Sequence, residues 1–368
     1  MPRLADLLLG ALLACTSAVG QPIDITYISR EQNDPARTSL LEPVKAHYGL
    51  QGAEFGLQEI NNGGRFLGRE YTLTQVIVPA DGDLAAVARK ALVQHLLVVA
   101  DLQAKDLLTL ADLSEARDAV ILDARTSDDS LRQGDCRANV FHLLPNWGMR
   151  TDAIGAYVAK KGWKRWLLLS GAAPGDRAYA AAVERSAAHV GAQIVATAQF
   201  KAGEPVRAAA DYDVLFVADT TNAFGDTLLY NTAAPRLVVG THGMVAEAWD
   251  SQFTEYAARG VLLRFYKSAS REMTERDYGN SIAMAAFGDA VTRGGKTDAA
   301  GVKAYFLSDQ FSLAANKGEG LSFHRWDQQL RQPLLLFGPR RLVAMAPPEG
   351  IGFDQQHSQC RQVGAHRG

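Results

Sequence analysis

Short apolar runs alternate along the chain with longer segments whose apolar positions recur at helical spacing. In the first third of the sequence the runs predict strands and the longer segments predict helices. The predicted strands cover residues 24–29, 71–78, 97–101 and 119–124, and the predicted helices cover 43–61, 83–96 and 103–116. Because helices separate the strands, the pattern favours a parallel sheet with right-handed crossovers. The first α/β unit is expected to end near residue 124.

A second unit with the same alternation begins close to Cys136. Its predicted strands cover 138–145, 165–170, 192–200, 213–219 and 235–241, and its predicted helices cover 148–162, 175–190 and 223–232. The chain then passes through "RGVLLRFYK" into two further helices, at 275–293 and 297–308. The segment "LSFHRWDQQLRQPLLLFGPRRLVAMAP" alternates as an antiparallel hairpin does. The sequence therefore predicts two α/β units of similar architecture and no internal sequence repeat.

The first twenty residues have the composition of a secretory signal peptide. Arg3 precedes the apolar run "LLLGALLAC", and small residues follow in "TSAVGQ". The apolar run is too short for a membrane span. Cleavage before Gln21 is the preferred interpretation. The alternatives are a lipoprotein anchored at Cys15, through the weak lipobox "LLAC", and an uncleaved anchor helix.

This interpretation of the signal segment determines which cysteines remain in the mature chain. If Cys15 leaves with the signal, Cys136 and Cys360 remain in an oxidising compartment, and one disulfide is the simplest pairing. Two separate thiols are the alternative. A metal site is not expected, because the sequence contains no C-x-x-C or H-x-x-x-H spacing.

Composition and motifs exclude several classes of function. A chain of 368 residues favours two domains, and a net charge of −2 without clustered cations argues against a nucleic-acid partner. No G-x-S-x-G elbow, P-loop or G-x-G-x-x-G is present. The adjacent carboxylates Asp128 and Asp129 are more typical of a solvated or capping pair than of a catalytic one. The protein is therefore not expected to be an enzyme.

Four stretches resemble the type I periplasmic binding proteins, specifically the leucine/isoleucine/valine-binding branch that feeds ABC importers. They are "LQGAEFGLQEINNGGRFLGREYTL", "LLPNWGMRTDAIGAYVAKKGWKRWLLLSG", "RLVVGTHG" and "FHRWDQQLRQPLLLF". The resemblance implies two doubly wound parallel-sheet lobes, joined by a three-segment hinge and closing on a ligand as a Venus flytrap. After a signal peptide at 1–20, lobe 1 would comprise 21–138 and 262–320, and lobe 2 would comprise 139–261 and 321–368. Cys136 would lie at the first crossing, and the tail carrying Cys360 would return to it.

The stretches "ITYISREQND" and "DDSLRQGDCRANVFHLLPNWGMRTDAI" are closer to a narrower subfamily of these binding proteins. It resembles the binding proteins associated with pyrroloquinoline quinone (PQQ)-dependent alcohol dehydrogenase systems. This resemblance implies a periplasmic protein that requires no cofactor, binds PQQ or a metabolite of alcohol oxidation, and delivers it to an ABC permease. A PQQ-dependent dehydrogenase would be a further candidate partner.

Two alternative functions remain. One is a sensor or cofactor-handling partner of a quinoprotein dehydrogenase. The other is a branched-chain amino-acid binding protein with an altered pocket. In the amino-acid-binding branch, a Gly/Ser-rich turn after the third strand holds the ligand carboxylate, whereas here that turn reads "VVADLQAKDLL".

The candidate ligand-binding residues follow the predicted strands, because ligands of open α/β sheets lie beyond the carboxyl ends of the strands. They are Arg30, Glu31, Arg125, Thr126, Asn146, Trp147, Asp176, Asp219, Asn222 and His242. Arg30 and Arg125 could bind carboxylates bidentately, and Trp147 could stack on a planar ligand. Each has a structural alternative: an ion pair for either arginine, ordinary packing for Trp147 and a helix cap for Asp219. Arg125 is the weaker of the two arginine candidates, because Asp128 and Asp129 are close in sequence.

Overall fold

The computed structural model describes residues 22–31, 48–93, 95–201, 211–225, 228, 236–339 and 341–347. The predicted signal segment, Cys15 and Cys360 lie outside these ranges, as does most of the predicted helix at 223–232. Within the described ranges, no helix is both long enough and apolar enough to cross a bilayer.

Lobe 1 is built on a parallel sheet of five strands in the order β2-β1-β3-β4-β5. The strands are β1 (Ile23–Arg30), β2 (Tyr71–Val78), β3 (Leu97–Asp101), β4 (Val120–Asp123) and β5 (Val140–His142). The helices α1 (Leu50–Gly64), α2 (Leu84–Leu92) and α3 (Ala104–Ala111) connect them. Every residue of β3 and β4 is buried, since helices cover both faces of a doubly wound sheet.

Lobe 2 repeats this plan with four parallel strands in the order β7-β6-β8-β9. The strands are β6 (Arg165–Ser170), β7 (Gln193–Gln199), β8 (Val214–Ala218) and β9 (Leu237–Gly240). The helices α4 (Trp147–Lys160) and α5 (Pro174–Val190) pack on each other and on this sheet. Apolar side chains of β6 and β8 contribute to both hydrophobic clusters of the lobe, because the two sheet faces are covered.

The chain crosses between the lobes three times. The first crossing, residues 143–146, joins β5 to α4. The second, residues 248–257, joins β10 (Val245–Glu247) to α6 (Ala258–Ala269). The third, residues 332–333, joins β13 (Leu330–Arg331) to β14 (Leu334–Gly338). The remaining elements are α7 (Glu275–Thr292), α8 (Ala299–Phe306), β11 (Leu313–Ala314), β12 (Gly320–Phe323) and β15 (Arg341–Ala346).

Two small antiparallel sheets complete the lobes. The sheet β11-β12-β13 buries Leu321, Phe323 and Leu330 in the core of lobe 1, where the ring centroids of Phe323 and Phe141 are 5.0 Å apart. The sheet β10-β14-β15 belongs to lobe 2 and contains the expected hairpin, β14 with β15. The sequence pattern did not predict β10, which is only three residues long.

The lobe boundaries differ from the expected ones at three places. Strand β5 pairs with β4, so residues 140–142 belong to lobe 1. Helix α6 also belongs there, because Phe265 packs edge-on against Phe55 of α1 with centroids 5.5 Å apart. Strands β12 and β13 join lobe 1 as well. Hydrophobic periodicity shows that a segment is buried, but it does not show which of two sheets the segment joins.

A side-chain hydrogen bond connects the first and third crossings, and further bonds hold the first crossing to lobe 1. The amide Nε2 of Gln332 donates to the carbonyl of Leu143 at 2.6 Å, and Nε2 of Gln329 donates to the carbonyl of Leu144 at 3.1 Å. The fully buried Arg132 adds two bonds, from Nε to Oε1 of Gln329 at 2.9 Å and from Nη2 to the Leu144 carbonyl at 3.1 Å. These bonds supply donors to backbone carbonyls that lie outside the β-strands.

Candidate ligand-binding site

A cavity of about 410 Å³ lies between the lobes at the carboxyl ends of the parallel strands. Five of the ten predicted site residues line it: Arg125, Trp147, Asp219, Asn222 and His242. The other ten lining residues were not among the candidates, and seven of these have polar side chains: Ser127, Arg150, Tyr179, Thr220, Thr241, Glu247 and Glu275. Lobe 1 contributes Arg125, Ser127 and Glu275, so both lobes contact this space.

Arg125 follows β4, and its backbone amide donates to Oδ1 of Asp123 at 3.1 Å. Within the described part of the chain, its guanidinium has no hydrogen bond and no ion pair. Burial lowers the pKa of Arg125, and the positive charge of Arg276 lowers that pKa further. The side chain remains cationic, because the guanidinium pKa starts above 12. Arg125 therefore presents unused donors to the cavity.

A charged pair lies at the carboxyl end of β3, between Asp101 of that strand and Arg276 of α7. Nε of Arg276 lies 2.7 and 2.9 Å from the two carboxylate oxygens of the fully buried Asp101. The hydroxyl of Tyr27 donates to Oδ2 of Asp101 at 2.7 Å. The Gly/Ser-rich turn of the amino-acid-binding branch is thus replaced by an Asp–Arg pair.

Arg30 does not line the cavity. Its Nε and Nη2 donate to the two carboxylate oxygens of Asp106 at 2.7 and 3.0 Å. Its Nη1 donates to the carbonyls of Pro79, Ala80 and Gly82 at 2.9–3.1 Å. The expectation that Arg30 keeps donors for a ligand is not met, because neighbouring loops engage every nitrogen of its guanidinium. Glu31 is exposed and lies outside the cavity lining.

Three further predicted residues are buried and hold loops in place. Thr126 hydrogen bonds to Asp123 through its hydroxyl. Asn146 caps α4 by accepting from the amide of Met149 at 2.9 Å. Asp176 accepts from the amide of Thr220 at 2.7 Å. Each is at least 96% buried and none lines the cavity, so these residues support the site without contacting it.

Asp219 lines the cavity on the lobe 2 side, but it also has the capping role considered for it. It accepts hydrogen bonds from the amides of Ala223, Phe224 and Gly225 at 2.8–2.9 Å. Burial alone would raise the pKa of Asp219, but these amides and the charge of His242 hold that pKa below its usual value. Asp219 is therefore ionised at neutral pH and mainly orders the loop after β8.

Trp147 and His242 also line the cavity on the lobe 2 side. The Trp147 ring meets Tyr179 edge-on, with centroids 5.4 Å apart, and the guanidinium carbon of Arg150 lies 5.8 Å from the Trp147 ring centroid. Nε2 of His242 lies 2.8 Å from Oδ1 of Asn222. An aromatic face and a polar pair are therefore available on the side opposite Arg125.

A largely buried ion pair that the sequence did not reveal forms part of the cavity lining. Nη2 of Arg150 lies 2.7 Å from Oε2 of Glu275, and Nη1 of Arg150 donates to the carbonyl of Ala246 at 2.8 Å. Lys317, which is 1% exposed, donates from Nζ to the carbonyl of Pro333 at 3.0 Å. Burial lowers the pKa of Lys317 to about 7, although the negative charge of Glu275 opposes this.

Glu247 is the remaining charged residue of this region. Its carboxyl group has no hydrogen-bond partner in the described ranges. Burial raises the pKa of Glu247 to about 8, and the charges of Glu275 and Asp250 add to the effect, whereas Arg150 opposes it. A lone acid within the apolar run "MVAEAW" is the signal that could have identified it.

Of the two cysteines in the predicted disulfide, Cys136 lies within the described residues. Cys136 is 4% exposed and is disulfide-bonded. Its expected partner, Cys360, lies outside the described residues, so the pairing stays a prediction. Over the described ranges, no group of three His, Cys, Asp or Glu side chains is arranged to hold a metal ion.

About half of the chain matches a known protein family. Residues 46–224 match the sequence profile of a periplasmic binding protein family. No curated protein sequence matches the chain significantly.

Solved structures resemble the whole architecture at low sequence identity. A branched-chain amino acid ABC transporter periplasmic ligand-binding protein of Burkholderia xenovorans superposes with a TM-score of 0.71 at 15% identity, over 89% of this chain and 96% of that one. An amino acid ABC transporter substrate-binding protein of Pseudomonas fluorescens gives 0.69 at 13%, over 93% and 99%. The branched-chain amino acid transporter substrate-binding protein of Streptococcus pneumoniae, in complex with isoleucine, gives 0.63 at 16%, over 89% and 99%.

Identity at this level establishes the fold and not the ligand. The two parallel-sheet lobes, the three crossings and the cavity between the lobes agree with these structures. The chain therefore has the fold of the type I periplasmic binding proteins, as its sequence predicted.

Proposed function

We propose that the protein is a non-catalytic substrate-binding protein that captures a small organic molecule carrying an anionic group in the cleft between its lobes. The observation that carries the proposal is Arg125, whose guanidinium lines the cavity with no partner in the described ranges. Asp101 and Asp123 offset part of the desolvation penalty of this half-buried guanidinium, and a ligand carboxylate would add strong hydrogen bonds there.

The proposed setting is the periplasm, with an ABC permease as the partner that accepts the ligand. The predicted signal peptide supports the location, and the similar solved structures are binding proteins of ABC transporters. Because both lobes line the cavity, a ligand that contacts both would favour the closed state over an open one.

PQQ is one candidate ligand, and it comes from the sequence resemblance. Trp147 offers a face for a planar molecule, and Arg125 offers a donor for one carboxylate. However, Arg30 is engaged by Asp106, and Glu275 and Asp219 bring negative charge to the same cavity. These charges make the cavity a better match for a ligand with one anionic group than for a tricarboxylate.

An amino acid or related small acid is the second candidate, because similar solved structures include amino-acid-binding proteins. The Asp101–Arg276 pair fills the turn that holds the carboxylate in the amino-acid-binding branch. A carboxylate in this protein would bind at Arg125 instead, so the pocket would differ from that of the branch.

Binding measurements test the proposal directly. The protein would be unfolded, dialysed and refolded to remove co-purified ligand, then titrated calorimetrically with the L-amino acids, small mono- and dicarboxylates, and PQQ. We expect micromolar binding of at least one anionic compound. The affinity should fall about 10- to 150-fold in Arg125→Ala, the equivalent of a charge-assisted hydrogen bond. A matched control is Arg89→Ala, because the Arg89 side chain is 55% exposed on α2.

Three results would contradict parts of the proposal. Absence of binding by every compound would refute it as a whole. Binding that Arg125→Ala does not weaken would remove Arg125 from the site. A periplasmic pull-down that recovers a quinoprotein dehydrogenase and no permease would favour a sensor or cofactor-handling partner over an importer component.

A further inference from the structure

A further cavity, of about 540 Å³, lies within lobe 2, and we term it the lobe 2 cavity. It is surrounded by strand β9, the turn before β10, the hairpin of β14 and β15, and helix α4 with the turn that follows it. Among the described residues, it shares no lining residue with the cavity between the lobes. Its volume falls in the range of about 300–1,000 Å³ that is typical of small-molecule sites.

The floor of the lobe 2 cavity is apolar and buried. Val238 of β9 and Met244 both line it and are 6% and 4% exposed. The turn at Gly243 folds the chain back on β9, so that the amide of Met244 donates to the carbonyl of Val238 at 2.9 Å. Gly243 has a φ of 79°, and a Cβ atom there would lie 2.2 Å from that carbonyl oxygen. A glycine is therefore needed at this position to keep Met244 in the floor.

The rim of the lobe 2 cavity combines exposed apolar side chains with positive charge. Trp163 is 37% exposed and Val343 is 38% exposed, so the apolar surface continues from the floor to the solvent. In the described lining, the charged groups are the guanidinium groups of Arg236 and Arg341, and no carboxylate lies among them. Arg236 lies 3.3 Å from the exposed Asp211. Arg341 is exposed and has no partner among the described residues.

We propose that the lobe 2 cavity is a second ligand site, which binds a small amphiphilic carboxylate with its apolar body against Met244 and Trp163 and its anionic group at Arg341. The inference goes beyond the proposed function, because this site lies in one lobe and does not depend on closure of the cleft. An apolar body would remove the floor of the cavity from water. The carboxylate would accept a charge-assisted hydrogen bond from a guanidinium that no described acid engages.

A series of probes separates the apolar contact from the charge contact. Butyrate, hexanoate and octanoate differ only in the length of the apolar body, whereas octylammonium keeps the body of octanoate and reverses its charge. The full-length parent, Arg341→Glu and Val343→Glu are titrated calorimetrically with all four compounds. The matched control is Arg259→Glu, because Arg259 is an exposed arginine of α6 in lobe 1 without a partner among the described residues. Arg125→Ala is titrated as well, since the proposed cleft ligand also carries an anionic group.

We expect octanoate to bind the parent with a Kd on the order of 100 µM. Affinity should increase from butyrate to octanoate by up to about fourfold for each methylene, and octylammonium should bind about tenfold more weakly than octanoate. Arg341→Glu and Val343→Glu should each weaken octanoate about tenfold, because each places a carboxylate beside that of the ligand. Arg259→Glu and Arg125→Ala should bind octanoate as the parent does. Both substituted rim residues are exposed, and urea denaturation confirms that their variants are folded.

Three outcomes would overturn the inference. The first is that the parent does not bind octanoate. The second is that folded Arg341→Glu and Val343→Glu bind octanoate as tightly as the parent. The third is loss of octanoate binding in Arg125→Ala, which would assign the compound to the cleft and so support the proposed function. Conversely, if octanoate binds as expected while no compound binds at Arg125, this inference stands and the proposed cleft site fails.

Discussion

Arg150 of lobe 2 and Glu275 of lobe 1 form an ion pair in the lining of the cavity, with 2.7 Å between Nη2 and Oε2. Their side chains are 10% and 19% exposed, so both charges are largely removed from water. Each residue occupies the N-terminal part of its helix, which places the pair close to the first and second crossings. The lobes therefore contact each other through a desolvated charge pair as well as through the chain.

Removal of one member of this pair should destabilise the protein strongly. Glu275→Gln leaves Arg150 buried without its counter-charge, and we expect a loss of about 3 kcal/mol in the free energy of unfolding. The double variant Arg150→Met/Glu275→Leu should lose less, because no charge remains unpaired. Urea denaturation of the parent, Glu275→Gln, Arg150→Met, Glu275→Leu and the double variant measures the loss and the coupling. A single-variant loss below about 0.5 kcal/mol would show that the pair is solvated.

Arg125 and Arg30 should respond in opposite ways to substitution. Arg125→Ala is expected to weaken ligand binding and to leave the free energy of unfolding nearly unchanged, since its guanidinium makes no hydrogen bond in the described structure. Arg30→Ala should leave binding unchanged but cost about 1–2 kcal/mol of stability, because Asp106 and three carbonyls lose their donor. Calorimetry and denaturation of both variants provide the comparison. The reverse pattern would return Arg30 to the site.

Glu247 should make stability depend on pH. Its pKa is raised in the folded state, so the fold binds this proton more tightly than the unfolded chain does. The resulting stabilisation is complete below about pH 4.5 and is lost as the pH rises through about 8. Relative to Glu247→Gln, the parent should lose up to about 1.4 kcal/mol per pH unit in this window. Denaturation midpoints of both proteins from pH 4 to pH 9 check this, and parallel curves would contradict it.

Lys317 should make the free energy of unfolding increase with pH, which is the opposite of the effect of Glu247. Its pKa is lowered to about 7 in the fold, whereas the unfolded lysine titrates near 10.5. The unfolded chain therefore binds more protons between these values, and stability falls as the pH decreases from about 10.5 to 7. Lys317→Met should remove this loss and raise the free energy of unfolding at neutral pH. A destabilised Lys317→Met protein at pH 7 would indicate that the bond to the Pro333 carbonyl outweighs the buried charge.

We predict that Cys360 is the disulfide partner of Cys136 and that the mature chain begins near Gln21. The bridge would close a loop of about 225 residues, and chain entropy assigns roughly 5 kcal/mol to a loop of that length. Intact mass with and without reduction and alkylation tests both statements. Two alkylated thiols without reduction, or a lipid on Cys15, would contradict them.

The positions of the central strands could be predicted because each is a largely apolar run. For example, "LVVAD" and "RWLLLS" match β3 and β6 residue for residue. The site was only partly predictable, because chain position indicates a strand end but not the partner of a side chain. Arg30 illustrates this, since Asp106 lies 76 residues away along the chain.

The pairing of Arg150 with Glu275 escaped prediction for a related reason. Arg150 and Glu275 are separated by 125 residues, and nothing in either local sequence indicates the other. Arg125 was the weaker arginine candidate because Asp128 and Asp129 are close to it in sequence. In the structure, neither of these carboxylates accepts a hydrogen bond from the Arg125 guanidinium. Proximity along the chain is therefore a poor guide to which charges pair.

The hydrogen bond between the first and third crossings has a mechanical consequence. Gln332 of the third crossing binds the carbonyl of Leu143, whereas Gln329 and Arg132 hold the carbonyl of Leu144 from lobe 1. A rotation between the lobes that bends the first crossing must therefore bend the third as well. Sliding of the two segments past each other would break the Gln332 bond, so the cleft would open about a single axis and resist twisting.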